Sequence, residues 1–187
     1  MWEAIYPDLK ITEVAQDIFH TKFLTPAFAE AILDCCKENG KWTDEKFEYS
    51  TRDIYLEETF PDLFSIVTAE ENFLNRFFNR LLHTSYFKIY TAFVIKYSLG
   101  DQIKLEMHHD DSYITGSIKL NNDYTGAELL FPRQKFSNKD VQVGDLLLFP
   151  GEVTHPHKCA PLKSGEKYSL TMWTKDIEKD EISGIKS

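Results

Sequence analysis

Four of the six histidines in this 187-residue chain fall in two short clusters, His108-His109-Asp110-Asp111 and His155-Pro156-His157. Two histidines and one carboxylate form the donor set that holds a non-haem iron(II) and leaves its other positions open for substrate and O2. In an extended chain, residues two apart point to the same side. His108 and Asp110 would therefore share one ion, while His109 and Asp111 would face the other way. Spacing alone leaves the two pairs as alternatives. Ten residues after His157, past Pro161 and Gly165, stands Lys167. In an oxygenase a cation there would meet the distal carboxylate of 2-oxoglutarate, whose burial demands a charged partner.

These residues need elements to hold them. Thr25-Pro26 reads as a helix start, with Thr25 as cap and Pro26 at the first position, where its missing N–H costs nothing. The helix runs over 27–37 with Phe28, Ala31, Ile32 and Cys35 at helical spacing, and Asn39-Gly40 ends it. A second helix begins near Thr68, where Thr68 and Glu71 have capping-box spacing. Its apolar stripe of Phe73, Leu74, Phe77, Phe78, Leu81 and Leu82 predicts core packing. After about residue 86 the pattern turns to short β-branched and aromatic runs at 89–97, 113–120, 127–131, 145–149 and 168–173. Turn signals separate them at Gly100, Asn121-Asn122, Gly144 and Pro150-Gly151. Helices followed by antiparallel strands predict an α+β fold. We expect one domain with a helical half over about 1–86, a jelly-roll core over about 87–176 and a tail over 177–187.

Composition narrows the function classes. At 42% hydrophobic and 14% aromatic residues the chain can build a sizeable core, so general disorder is excluded. Thirty acidic against 21 basic side chains give a formal charge of −9, which argues against duplex nucleic acid as a partner and suits a basic ligand. No run of about 18 apolar residues is present to span a membrane. The first residues show no basic-then-apolar signal pattern, and Cys35, Cys36 and Cys159 make an odd count without a Cys-x-x-Cys pair. The expectation is reduced thiols, a cytoplasmic location and a microbial or viral source.

The motifs are specific enough to carry a family resemblance. HHDDSYITGSIKLN (108–121) resembles, without a gap, the H-H-D-A-S-T-F-T-x-x-x-x-L-N run of the procollagen-lysine 2-oxoglutarate 5-dioxygenases, the lysyl hydroxylases. PGEVTHPH (150–157) resembles their P-G-R-L-T-H-x-H, and FVIKY (93–97) their F-V-V-R-Y. GKW (40–42) and RDIYL (52–56) are similar to the family's G-x-W and D-I-H-M stretches, so the resemblance spans about residues 18–176. It implies a double-stranded β-helix (jelly roll) with N-terminal supporting helices. It implies Fe(II) bound by His108, Asp110 and His157, which selects one of the two registers. It also implies 2-oxoglutarate as cosubstrate, held by Tyr97 and Lys167 with Ser117 nearby, and ascorbate as reductant.

Two positions depart from the family. Lys167 stands for its arginine, a point charge for a planar fork, as in the prolyl hydroxylases of the same superfamily. Ser117 stands for an asparagine and has fewer hydrogen bonds to give. The chain shows no counterpart of the family's glycosyltransferase-like domains. The implied reaction is hydroxylation by O2 of a lysyl residue in a peptide or collagen-like protein, with a homodimer as the implied assembly. The rivals are a prolyl or free amino-acid substrate, and a non-catalytic jelly-roll binding module that keeps its metal. His109 is expected to face away from the metal and pack or hydrogen-bond, and His155 to orient His157. Trp2, Trp42 and Trp173 are expected to be core or rim aromatics.

Overall fold

The computed structural model describes residues 4–43, 51–82 and 86–177. From the N-terminus, β1 (Thr12–Ala15) and β2 (Ile18–Lys22) form a hairpin, followed by α1 (Pro26–Asn39) and β3 (Arg52–Tyr55). Three helices follow, α2 (Leu56–Thr59), α3 (Pro61–Val67) and α4 (Glu71–Leu82). The rest is strand: β4 (Phe87–Ser98), β5 (Leu105–His108), β6 (Ile114–Lys119), β7 (Tyr124–Gly126), β8 (Leu129–Phe131), β9 (Phe136–Ser137), β10 (Asp145–Pro150), β11 (His157–Cys159) and β12 (Leu162–Asp176). A large antiparallel sheet runs β1-β2-β10-β6-β12-β4-β3, with β7 on β12, and a small one runs β5-β11-β8-β9. This is the expected α+β jelly roll.

The long strands are apolar on both faces because both faces are covered. On β4, Ala92 and Val94 point into the main core, with Phe28, Ile32 and Phe78 from the helices. The alternate residues Phe93, Ile95 and Tyr97 face the small sheet, against Cys159 and Ala127. On β10 the same alternation sends Leu146 and Leu148 one way, and Leu147 and Phe149 the other. Period-2 geometry therefore turns an apolar run such as DLLLFP into two half-cores. Phe131 of the small sheet and Phe149 of the large one close the far end, ring centroids 4.7 Å apart.

Helix α1 begins as expected, with Thr25 Oγ1 accepting from the Phe28 N–H. Its buried stripe is Phe28, Ala29, Ile32, Leu33 and Cys36, so Cys36 rather than Cys35 reaches the core. The Thr68–Glu71 capping box does not form. Thr68 ends α3 and its hydroxyl donates to the Phe64 carbonyl, while the Glu71 carboxylate accepts from the Ile89 N–H at 2.6 Å. The tertiary bond to β4 outcompetes the local cap. Residues up to 86 also differ from a purely helical segment. They supply β1, β2 and β3 to the large sheet, because its edges are completed by backbone pairing that short, mixed sequences leave unmarked. Trp2, the side chains of Leu81 and Leu82, and the tail beyond Ile177 lie outside the described residues.

Candidate active site

His108 ends β5 and His157 opens β11, and the two are direct cross-strand partners with ring centroids 4.4 Å apart. Asp110 lies two residues beyond the strand, its N–H donating to the Gly151 carbonyl at 2.8 Å. A loop therefore places this carboxylate, and strand alternation does not. Nε2 of His108 is 3.5 Å from Asp110 Oδ1, and Nε2 of His157 is 3.6 Å from Oδ2. Both Nδ1 atoms are engaged elsewhere, that of His108 with the Glu106 carbonyl at 2.8 Å and that of His157 with the His155 carbonyl at 3.0 Å. A carbonyl partner fixes the proton on Nδ1 and leaves each Nε2 lone pair facing the carboxylate. One ligand atom from each residue lies within 4.8 Å of the others, and only this trio among the described residues forms such a group. The donor chemistry, two imidazoles and one carboxylate with an open side toward a cavity, fits iron(II).

Electrostatics act on the three donors in different directions. Burial pushes Asp110 toward its neutral form, but a hydrogen bond from His108 and the attraction of His157 when these rings are protonated, with the hydroxyl of Thr115, hold it below the usual carboxylate range. Thr115 Oγ1 donates to Oδ2 at 2.8 Å. Burial outweighs the pull of Asp110 at His157 and lowers its pKa, which favours the neutral ring. At His108 burial is overcome by the bonds to Asp110 and the Glu106 carbonyl, and the pKa rises.

The trio opens onto a cavity of about 870 Å³ between the sheets. Alternate residues of three strands face it: Lys167, Ser169, Thr171 and Trp173 from β12, Phe93, Ile95 and Tyr97 from β4, and Thr115 and Ser117 from β6. Lys167 and Tyr97 are register partners, with Nζ 5.0 Å from the Tyr97 ring centre. Lys167 is only 4% exposed, and its Nζ donates to the Ala127 carbonyl at 2.9 Å and lies 3.6 Å from Cys159 Sγ. Among the described residues no carboxylate pairs with it. A buried ammonium held only by neutral groups is costly, and the cavity is thereby suited to an anion. Burial, reinforced by Cys159, pushes the Tyr97 phenol well above its usual range, so Tyr97 is a neutral hydrogen-bonding group there.

All six expected site residues therefore meet in one cavity. His109 is exposed at its rim and, among the described residues, has no hydrogen-bond partner, because the chain leaves β5 at that point. His155 does orient His157, but through its backbone carbonyl. Its own ring is buried and bonded to Thr154 Oγ1 and the Gln16 carbonyl. Trp42 packs against the main core and on Tyr168, within the expectation of a core or rim aromatic. Trp173 instead lines the cavity, edge-on to Phe93 at 5.0 Å, with its buried Nε1 unpaired. Sequence reasoning missed Thr115, Cys159 and Asp53. The first two lie at period-2 positions from Ser117 and His157, a signal that was present, whereas Asp53 arrives on β3.

The fold and the trio define a class first. Solved structures similar to this chain include the viral collagen prolyl hydroxylase of Paramecium bursaria chlorella virus-1, at TM-score 0.65 and 17% identity over 87% of this chain and 97% of that one. A prolyl-4-hydroxylase of Pseudomonas putida matches at TM-score 0.67 and 18% identity, over 86% and 92%. The chain thus has the jelly roll of the 2-oxoglutarate–iron(II) oxygenases. Its sequence relatives are more particular. It is 28% identical over 182 residues to the procollagen lysyl hydroxylase and glycosyltransferase of Acanthamoeba polyphaga mimivirus, covering 88% of this chain and 20% of that protein. It is 26% identical over 186 residues to human procollagen-lysine,2-oxoglutarate 5-dioxygenase 2, covering 89% and 25%. The chain spans about a fifth to a quarter of the length of these curated relatives. No protein-family model matches it. In sequence the chain is thus similar to the catalytic region of procollagen-lysine hydroxylases.

Proposed function

We propose that the chain is an Fe(II)- and 2-oxoglutarate-dependent hydroxylase acting on lysyl residues of a peptide or collagen-like protein, with ascorbate as reductant. The observation that carries the reading is the coexistence, in one cavity, of the His108–Asp110–His157 trio and the buried cation of Lys167. His108, Asp110 and His157 would hold the iron, Lys167 would pair with the distal carboxylate of 2-oxoglutarate, and the Tyr97 hydroxyl and Ser117 would add hydrogen bonds. When bound, iron and cosubstrate supply O2 activation and the transfer of one oxygen atom to a C–H bond, with succinate and CO2 as co-products. The chain's own part is to fix the imidazole tautomers, steady the Asp110 carboxylate with the Thr115 hydroxyl, and line the cavity with Phe93, Leu129 and Phe149. An aspartate at position 110 leaves no vacancy for a halide and favours hydroxylation. The sequence relatives support a lysyl substrate. The lysine at 167 and the prolyl hydroxylases among the similar structures favour the second reading, a prolyl substrate.

Anaerobic Fe(II) with 2-oxoglutarate should give the weak visible charge-transfer band of the chelate in the wild type, and His157→Ala should abolish it. A folded, iron-saturated wild type without the band would sink the reading. Lys167→Met should raise the 2-oxoglutarate needed for half-maximal band intensity by about 10- to 100-fold, the loss of a buried charge-assisted contact. Succinate release with lysyl peptide, prolyl peptide and free lysine then separates the substrates.

A further inference from the structure

The cavity holds a second buried charge that the iron and cosubstrate do not use. Asp53, on β3, is 6% exposed and lines the same space. Its Oδ2 accepts from Thr51 Oγ1 at 2.5 Å and its backbone N–H donates to Thr43 Oγ1 at 3.0 Å. Its Oδ1 is buried and, among the described residues, has no hydrogen-bond partner. The neighbouring cation turns away: Arg52 alternates to the other side of the strand and bonds to Asp101 and the Thr43 carbonyl. The buried cation of the cavity, Lys167, is likewise held away, on the Ala127 carbonyl and Cys159. An anion and a cation thus face one cavity without meeting. Each is left for something that enters it.

2-Oxoglutarate is a dianion, so a bare carboxylate repels it and cannot belong to its binding site. The residue facing the other ligand is Asp53, and the chemistry it selects is a cation with N–H groups to donate. The walls nearby suit the alkyl stem of such a group. Tyr55 and Phe93 are tilted against each other with centroids 5.5 Å apart, and Trp173 lies edge-on to Phe93. Resting on the hydroxylase reading above, we infer that Asp53 receives the ammonium group of the substrate, its orphan Oδ1 accepting the N–H while Tyr55, Phe93 and Trp173 flank the methylenes. Asp53 is then a specificity residue, choosing a primary-amine side chain over a prolyl ring. The unpaired Nε1 of Trp173 offers a donor for a substrate carbonyl in the same cavity.

The experiment measures binding without turnover. The full chain is loaded with Fe(II) and 2-oxoglutarate under argon. Calorimetry follows a short collagen-like peptide carrying lysine, and the same peptide with norleucine or proline at that position. The wild type should bind the lysyl peptide at least about tenfold more tightly than the norleucine one. Asp53→Asn keeps the Thr51 bond and should weaken the lysyl peptide by about 10- to 100-fold. It should change the norleucine peptide less than about twofold, and the Fe(II)–2-oxoglutarate band should persist. Lysyl affinity unchanged by the substitution would overturn the assignment while leaving the hydroxylase reading intact. Loss of the band in Asp53→Asn would also overturn it, by placing Asp53 with the cosubstrate. Tighter binding of the prolyl peptide by the wild type would remove the lysyl reading and this assignment together. Should the variant fail to fold, the wild type decides: pentylamine should displace the lysyl peptide where pentanol does not, and equal displacement refutes the assignment.

Discussion

Asp53 shows at the scale of a single residue how a binding group opposes the fold that carries it. Burial, only partly offset by the Thr51 hydroxyl, raises its pKa from 3.8 to about 6. Below about pH 4 the carboxyl is neutral in both folded and unfolded chains and contributes no difference. Between about pH 4 and 6 the unfolded chain ionises first, so the folded state loses stability as pH rises. The loss reaches at most about 3 kcal/mol, two pKa units at about 1.4 kcal/mol each. Asp53→Asn should therefore be more stable than wild type by up to that amount at pH 7.5 and equal to it near pH 4. Urea unfolding at the two pH values checks this. Lys167 carries the complementary cost, a buried ammonium on a carbonyl and a thiol. The lysine could be singled out through the resemblance, which expects a cation ten residues after the distal histidine. Asp53 could not, because nothing in RDIYL distinguishes a buried aspartate from a solvated one.

At the scale of elements, the β5–β11 pair and the two loops beside it build the metal trio. Strand pairing puts His108 opposite His157, and the turn after β10 supplies the carbonyl that fixes Asp110. Gly151 is at the centre of that turn. A Cβ there would lie 2.2 Å from the Ser112 carbonyl oxygen and 2.8 Å from Thr115 Oγ1, the group that steadies Asp110. Gly151→Ala should cost about 1–3 kcal/mol of stability, as overpacking does. It should also weaken iron binding by about tenfold or more through displaced support of the carboxylate. Thermal unfolding and a metal titration read the two effects. The long strands were legible from their β-branched runs, and α1 from its cap and proline. The short strands β5, β7, β9 and β11 were not, since two to four residues held only by cross-strand bonds carry little periodicity of their own. The capping-box spacing at Thr68 was present but idle, because Glu71 had a stronger partner in β4.

For the whole molecule, the division of labour is between two faces of the large sheet. The outer face is sealed by helices through an aromatic cluster in which Phe19 and Phe78 lie 5.4 Å apart and nearly perpendicular, with Phe77 and Phe87 around them. The inner face sets Ser, Thr and charged residues among aromatic and aliphatic ones and opens to ligand. Phe78→Ala should cost about 3–5 kcal/mol of stability, by lost burial and the cavity left behind. The Fe(II)–2-oxoglutarate band of the protein that stays folded should be unchanged, because the cluster lies across the sheet from the trio. Urea titration and the band together test that separation.

The sequence by itself determined the donor set, the cation and the apolar alternation, since each is a matter of residue type and near spacing. It also carried, through HHDDSYITGSIKLN and PGEVTHPH, the resemblance that chose His108 and Asp110 over His109 and Asp111. Only the tertiary structure decided what depends on distant segments meeting. It brought His157 across from His108, made the His155 carbonyl rather than its ring the support, and turned Trp173 into a cavity wall. It also set Asp53, from an edge strand more than fifty residues before the first histidine ligand, into the same space as Lys167. Which face a side chain presents, and whether its charge finds a partner, is fixed by the neighbours that strand pairing supplies, and those neighbours are far away in sequence.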